Sequence, residues 1–294
     1  MLGAWVGLSA CARTPEVERV VLVTIDTLRA DHLGSYGYPR RVTPFLDRLA
    51  AEGVRFERAV SSSSHTGPSH ASLMTGVYPR QHGVMQNLGR LPDDAHTLAR
   101  HLADAGFATA AFVATPFLVG SKAGFEHFEA PAPRDGWRPA NDGVEAAIRW
   151  VDQDPSPGRY FLWLHVWEPH EWARIGSRPP REQAARASSD LSHQAFLDFL
   201  RARHGTDPGW HPAMGAPTAI DRYDALVADA DRAVERLYRE LESRGHLERS
   251  LLVVTADHGE GLGSHGYGGH GMLLYQEQVR VPLIVRWDGP KPAS

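Results

Sequence analysis

Five short apolar runs punctuate the chain, most of them separated by enough residues for a helix. Arg19 to Asp26 (RVVLVTID) is β-branched and stops at an acid, the pattern of a strand covered on both faces. Phe107 to Ala114, Arg159 to Val166 and Ser250 to Asp257 repeat it, the last again ending in Asp, and Val281 to Trp287 predicts a fifth strand. Between these runs the apolar period lengthens. Thr43-Pro44 predicts a helix start, with Thr as N-cap and Pro in the first turn, running through Phe45, Leu46, Leu49 and Ala50 to Gly53. Ala95 to Ala105 carries Leu98 and Leu102 on one face before Gly106. Ile220 to Arg244 carries Tyr223, Leu226, Ala230, Val234, Leu237 and Leu241 before Gly245. Strands alternating with helices in this way predict an α/β fold, a mainly parallel sheet flanked by helices on both faces. Residues 171–217, rich in Arg, Ala, Pro and His, predict an insertion or lid outside that core.

Composition narrows the chemistry. With 31 Lys plus Arg against 35 Asp plus Glu, the net charge is −4, so there is no basic excess to hold a polyanion and no nucleic-acid partner is expected. The single Cys, Cys11, permits neither an intrachain disulfide nor a Cys-based metal cluster. Any metal must be held by Asp, Glu, His or hydroxyl groups. No run approaches the roughly 18 to 20 apolar residues that span a bilayer. Met1 to Ala10 is apolar and small, and Leu8-Ser9-Ala10-Cys11 resembles the lipobox of bacterial lipoproteins. Residues 1–18 are therefore expected to be a signal remnant and polar tether, with lipidation at Cys11 as the only membrane attachment and the bacterial cell envelope or periplasm as the location. Because no Lys or Arg precedes the apolar part, a leftover apolar tail is the alternative.

Two of the predicted strands end in Asp26 and in Asp257-His258, and in an open parallel sheet the carboxyl ends of strands line the ligand crevice. Carboxylates facing one another there repel unless a cation or a proton lies between them. Together with His258 the pair points to a metal, whereas either Asp alone would be a loop-capping residue. The segment Ser64 to Gly76 follows an apolar stretch, Phe56 to Val60, and its Gly67-Pro68 turn places Thr66 just before a helix N-terminus, where unpaired N–H groups favour an anion or an alkoxide. A hydroxyl bound to a divalent metal at such a place becomes a nucleophile near neutral pH. A plain N-cap hydroxyl is the other reading of Thr66.

Three motifs carry a family resemblance: Ile25 to Gly37 (IDTLRADHLGSYG), Thr66 to Gly76 (TGPSHASLMTG) and Thr255 to Gly266 (TADHGEGLGSHG). In this order, across Arg19 to Trp287, they resemble the sulfatase-like branch of the alkaline phosphatase superfamily. The resemblance implies an alkaline-phosphatase-like fold over residues 19–294 without the family's smaller C-terminal subdomain. It makes Asp26, Asp257, His258 and Thr66 the metal ligands, with Thr66 also the nucleophile. True sulfatases carry Cys or Ser at that position, oxidised to formylglycine, in a Cys/Ser-x-Pro-x-Arg motif. Here the positions are Thr66 and His70, and a secondary alcohol cannot yield formylglycine. Thr-nucleophile relatives include nucleotide pyrophosphatase-type phosphodiesterases and the phosphoethanolamine and phosphoglycerol transferases. The resemblance further implies Asn87 as an amide that binds a substrate oxygen, with a turn residue after His82-Gly83 as the alternative.

His265 and His270 lie in the Gly-rich loop after the metal strand, and His170 follows Trp167-Glu168-Pro169. All three are expected to be catalytic, either beside a second cation or as proton donors around one. His65 and His70 are expected to bind substrate, Glu260 to orient His258, and Arg29 with Asp31 to be structural partners. Two carboxylates, an imidazole and a hydroxyl suit one or two Zn or Mn ions, whereas an all-oxygen set would suit Ca or Mg. The expected activity is metal-dependent cleavage of a phosphate or sulfate ester through a Thr66 covalent adduct. The substrate would be a small anionic ester or an envelope glycan or lipid. An envelope transferase that passes a phospho-headgroup to an acceptor and a non-catalytic binding domain are the two rivals.

Overall fold

The computed structural model describes residues 17–132, 135–153, 158–173 and 217–287. Cys11 and nearly all of the expected lid at 171–217 lie outside them. Among the described residues nine strands appear in chain order: β1 (Arg19–Ile25), β2 (Val54–Arg55), β3 (Ala59–Val60), β4 (Ala108–Phe112), β5 (His127–Glu129), β6 (Tyr160–Val166), β7 (Ser250–Ala256), β8 (Arg280–Val281) and β9 (Leu283–Trp287). The helices are α1 (Pro44–Glu52), α2 (Thr66–Thr75), α3 (Pro79–His82), α4 (Leu98–Asp104), α5 (Ala140–Gln153), α6 (Pro217–Ser243) and α7 (Gln276–Val279).

Seven strands form one sheet in the order β2-β9-β7-β1-β6-β4-β5, and β3 pairs with β8 apart from it. From β5 through β4, β6 and β1 to β7 every pairing is parallel. The fifth expected strand differs from its neighbours: it pairs antiparallel to β7, and Pro282, which has no N–H to give a ladder, divides the run Val281 to Trp287 into β8 and β9. The freed Pro282 carbonyl accepts a hydrogen bond from Thr255 Oγ1 at 2.7 Å.

Alternation along the central strands feeds two cores. Val21, Val23, Ile25, Leu162 and Leu164 pack against α1, α5 and α6 through Phe45, Leu49, Val144, Tyr223 and Val234. Leu22, Phe161, Trp163 and Ala111 face the other way, onto Met74 of α2 and Ala99 of α4. Helices therefore cover both faces, as the sequence pattern predicts. α1 begins at Pro44, but the Thr43 hydroxyl does not cap it. The carboxylate of Asp231, reaching across from α6, accepts the Phe45 and Leu46 N–H groups instead, at 3.1 and 2.8 Å. Thr97 caps α4 from its own hydroxyl, accepting the Arg100 N–H.

Register decides where chemistry can occur. Ile25 stands opposite both Val166 and Ala256, so the next residues, Asp26, Trp167 and Asp257, leave the sheet side by side at its carboxyl edge. The β1–β6 ladder continues one step further, with the Asp26 N–H donating to Val166 O at 2.8 Å.

Candidate active site and metal centre

Asp26, Asp257 and His258 meet at that edge, all buried, each offering one ligand atom within 4.8 Å of the others. Thr66, at the first residue of α2, completes the group. Its Oγ1 lies 3.4 Å from both Asp26 Oδ2 and His258 Nε2. Thr66 thus sits inside the first turn of the helix rather than just ahead of it, with His65 at the cap position. The Asn87 side chain performs the capping, its Oδ1 accepting the Gly67 N–H at 2.8 Å.

Hydrogen-bond accounting fixes the protons. A carbonyl can only accept, so the 2.9 Å contact from His258 Nδ1 to Gly259 O puts the ring proton on Nδ1 and turns the Nε2 lone pair toward the cluster. Asp257 Oδ1 accepts two backbone N–H groups, from His258 at 2.8 Å and Thr27 at 3.2 Å, leaving Oδ2 aimed inward 3.4 Å from His258 Nε2. Asp26 Oδ1 and Asp257 Oδ2 are buried with no hydrogen-bond partner. Three electron-rich atoms therefore converge, and the single Thr66 proton can satisfy only one acceptor. Such buried orphans are costly unless something positive lies among them. Burial, then the charges of Asp257 and Glu260, push the Asp26 pKa well above its ordinary value. Burial lowers His258 to about 4, keeping it a neutral donor of its lone pair. The donor set fits a divalent cation.

His70 is placed differently from expectation. It is fully buried on α2 beneath the cluster, with Nδ1 donating to Thr66 O at 2.8 Å and Nε2 3.0 Å from Thr24 Oγ1. Both ring nitrogens are engaged, because an i, i+4 step on the helix turns the ring back onto the carbonyl of Thr66. Glu260 does not orient His258. Its Oε2 takes His270 Nδ1 at 3.2 Å and Trp172 Nε1 at 2.9 Å, and its Oε1 takes the Gly261 N–H. Although burial opposes it, the Glu260 hydrogen bond raises the His270 pKa.

His270 and His170 do come to the cluster. The His270 ring lies 4.5 Å from that of His258 and 5.0 Å from that of His170, which stacks on Trp167 at 3.8 Å. His65 borders the same loop, its ring filling the place where a Cβ on Gly271 would go. His265 instead pairs through Nδ1 with Glu277 at 2.8 Å and stacks on Tyr275 at 3.7 Å. Arg29 and Asp31 form the expected pair at 2.8 Å, and Arg29 also donates to the Glu260 and Gly261 carbonyls, tying the loop after β1 to the loop after β7. Gly259 is required for that second loop, since a Cβ there would collide with the Glu277 carbonyl.

Two groups were not anticipated. His165, next to last in the Arg159 to Val166 run, accepts the Ala114 N–H at Nδ1 and donates from Nε2 to Asp26 Oδ2 at 3.3 Å. Its only signal is a polar residue inside an apolar strand, opposite Thr24, the other one. Glu168 caps α5 by accepting the Ala140 N–H, while its Oε2 is buried without a partner. Burial pushes its carboxyl up to about 7. A carboxyl held above its ordinary value stabilises the fold fully at acid pH and progressively less as the pH rises through 7. Glu168→Gln should therefore match wild type in unfolding free energy at about pH 4 and exceed it by pH 8, by no more than about 3 kcal/mol, read from denaturant melts at each pH. A constant difference across that range would show that Glu168 stays ionised.

A five-strand parallel ribbon whose carboxyl edge gathers a helix-borne hydroxyl and an Asp/Asp/His group that could hold a metal ion defines an alkaline-phosphatase-like fold. The Sulfatase family profile matches residues 18–294, and the chain belongs to that family. An N-acetylglucosamine-6-O-sulfatase of Bacteroides thetaiotaomicron is 22% identical over 97% of this chain and 66% of its own length. The chain spans from 57% to 68% of the curated relatives it matches. Among solved structures, the sulfatase yidJ of Bacteroides fragilis superposes with a TM-score of 0.75 at 24% identity, over 96% of this chain and 70% of that one. A phosphonate monoester hydrolase of Agrobacterium radiobacter superposes with a TM-score of 0.68 at 21% identity, over 92% and 68%.

Proposed function

We propose that this chain is the catalytic part of a metal-dependent hydrolase that cleaves a phosphoric ester through a covalent Thr66 adduct. The observation that carries this reading is Thr66 Oγ1, held 3.4 Å from both Asp26 Oδ2 and His258 Nε2 at the N-terminal turn of α2. Asp26, Asp257 and His258 would hold the cation with Thr66 Oγ1 beside them; the donor set suits Zn or Mn, which would lower the hydroxyl pKa and offset negative charge on the ester oxygens.

The rest is done by the chain itself. The Thr66 hydroxyl gives its proton to solvent, which returns one when the hydroxyl is restored; Oγ1 bonds to phosphorus, and the bond from phosphorus to the leaving oxygen breaks. His270, oriented by Glu260, supplies the proton that the leaving oxygen takes up, with His170 alongside. Water then cleaves the bond between Oγ1 and phosphorus and the hydroxyl is restored. Asn87, whose Oδ1 is fixed by Gly67, presents its amide N–H₂ toward an ester oxygen, and His65 borders the same space. Trp167 holds the His170 ring by stacking, and Trp172 acts on His270 only through the Glu260 carboxylate that both of them bond.

Phosphorus is preferred to sulfur because threonine cannot be converted to an aldehyde hydrate. The phosphonate monoester hydrolase among the structural neighbours supports the same preference, although sulfatases predominate among the matched proteins. Those sulfatases favour an anionic glycan as the carrier of the ester. Chelated protein reloaded with Zn or Mn and offered an aryl phosphate monoester, an aryl phosphate diester and an aryl sulfate should turn over a phosphate ester at least about tenfold faster than the sulfate. Turnover of the sulfate alone overturns the preference.

A further inference from the structure

The loop that leaves β1 carries a side chain in an unfavourable place. Thr27 has a φ of +57°, a region that a β-branched residue enters only when its surroundings compel it, and it is completely buried. Both of its backbone polar groups are used. The N–H donates to Asp257 Oδ1, and the carbonyl accepts the Tyr223 hydroxyl at 2.7 Å. That same hydroxyl accepts the Arg29 N–H at 3.0 Å. One phenol, projecting from α6 with no exposure of its own, therefore closes the chain on either side of Leu28.

We propose that Tyr223 is a positioning residue for the metal centre, pinning Thr27 in its strained conformation so that the Thr27 N–H engages Asp257 Oδ1 and leaves Oδ2 for the cation. The two Asp257 oxygens are chemically alike, and only their neighbours distinguish them. Oδ1 receives the Thr27 and His258 N–H groups; Oδ2 receives none. If Thr27 relaxes to negative φ, its N–H turns away, the carboxylate keeps only the His258 N–H, and the ligand atom is less firmly held in advance of binding. The phenol does not touch any ligand atom, so its influence passes through the two peptides it bonds, those of Thr27 and Arg29. Its ring is itself steadied, edge-on at 4.9 Å to His32, which is bonded to Asp224 on the next position of α6.

The inference rests on the proposed metal centre, so its test reads metal binding rather than turnover. The full chain, stripped by chelation, is titrated with Mn and with Zn by calorimetry, with melting temperature recorded for each apo and loaded form. Tyr223→Phe keeps the ring and its packing, removes both hydrogen bonds, and is expected to weaken metal binding roughly 10- to 100-fold, the range found when outer partners of a ligand are lost. Thr27→Gly accepts positive φ without strain but loses the 2.7 Å bond from Thr27 Oγ1 to the Asp26 carbonyl, so its own affinity is the reference for the double variant. The double variant Tyr223→Phe with Thr27→Gly should recover at least about half of the lost affinity on a logarithmic scale, because glycine needs no clamp to hold that conformation. A lowered melting temperature with unchanged metal affinity in Tyr223→Phe overturns the proposal, as does a double variant no better than Tyr223→Phe. Failure of the wild-type chain to bind either metal removes the centre itself and this inference with it.

Discussion

Thr66→Ala should lower ester turnover by at least about 10³-fold while the protein folds and still takes up metal through Asp26, Asp257 and His258. Loss of a group that forms the covalent bond removes an entire route, not one increment of stabilisation, and what survives is direct attack by water in an otherwise intact site. The methyl of alanine takes the place of the threonine Cβ, so the change deletes only the hydroxyl and one methyl. Thr66→Ser retains the hydroxyl and should retain turnover within about one or two orders of magnitude of wild type, slowed by the extra freedom of its side-chain torsion. Rapid-quench analysis of the wild type with a labelled aryl phosphate should trap label on the protein, and Thr66→Ala should show none. Turnover by Thr66→Ala at the wild-type rate removes threonine from the chemistry and leaves water as the attacking group.

Asp26→Asn is expected to have the second large effect, in two directions. The change removes one of two buried carboxylates while preserving shape, so metal affinity should fall at least about 100-fold, with turnover at limiting metal falling in proportion. The metal-free protein should gain stability at neutral pH, because Asp26 is held well above its ordinary pKa by burial and by Asp257, and the cost of ionising it grows as the pH rises through that raised value. Below the ordinary carboxylate range the variant and the wild type should melt together. The measurement is a pair of melting curves with and without chelator at several pH values. The wild type should gain more from added metal than Asp26→Asn gains, and equal gains would mean that the cation lies elsewhere.

Much of this centre was legible in the sequence because the positions involved are dictated by the sheet. A β-branched run ending in an acid marks where a buried strand reaches the crevice, and two such runs, β1 and β7, turn out to be neighbours in exact register. Thr66 was legible from the Gly-Pro turn that opens α2. His165 was not, because a histidine within an apolar strand reads as a core residue, and only the bond from Ala114 to its Nδ1 shows that the other nitrogen faces Asp26. Tyr223 was hidden for a similar reason: its ring belongs to the apolar stripe of α6, and its hydroxyl matters only because the β1 loop passes over it. The roles of His70 and Glu260 depended on how a helix turn and a loop direct side chains, which spacing along the chain does not specify. α5 escaped notice because its buried face is built largely of Gly143, Ala146 and Ala147 around Val144 and Ile148, too small a set to stand out as a stripe. The direction of β9 was equally unreadable from its composition; Pro282 and the short link through α7 bring it back antiparallel.

The three central strands, β1, β6 and β7, come from the beginning, middle and end of the described chain, and they share one aligned ladder. Such an arrangement stores its contacts between distant parts of the polypeptide, a topology that refolds slowly because large loops must close before any pairing is rewarded. Metal uptake during refolding should accordingly follow the slowest phase seen by fluorescence of Trp163 and never precede it. The cation would then serve as a clock for completion of the sheet.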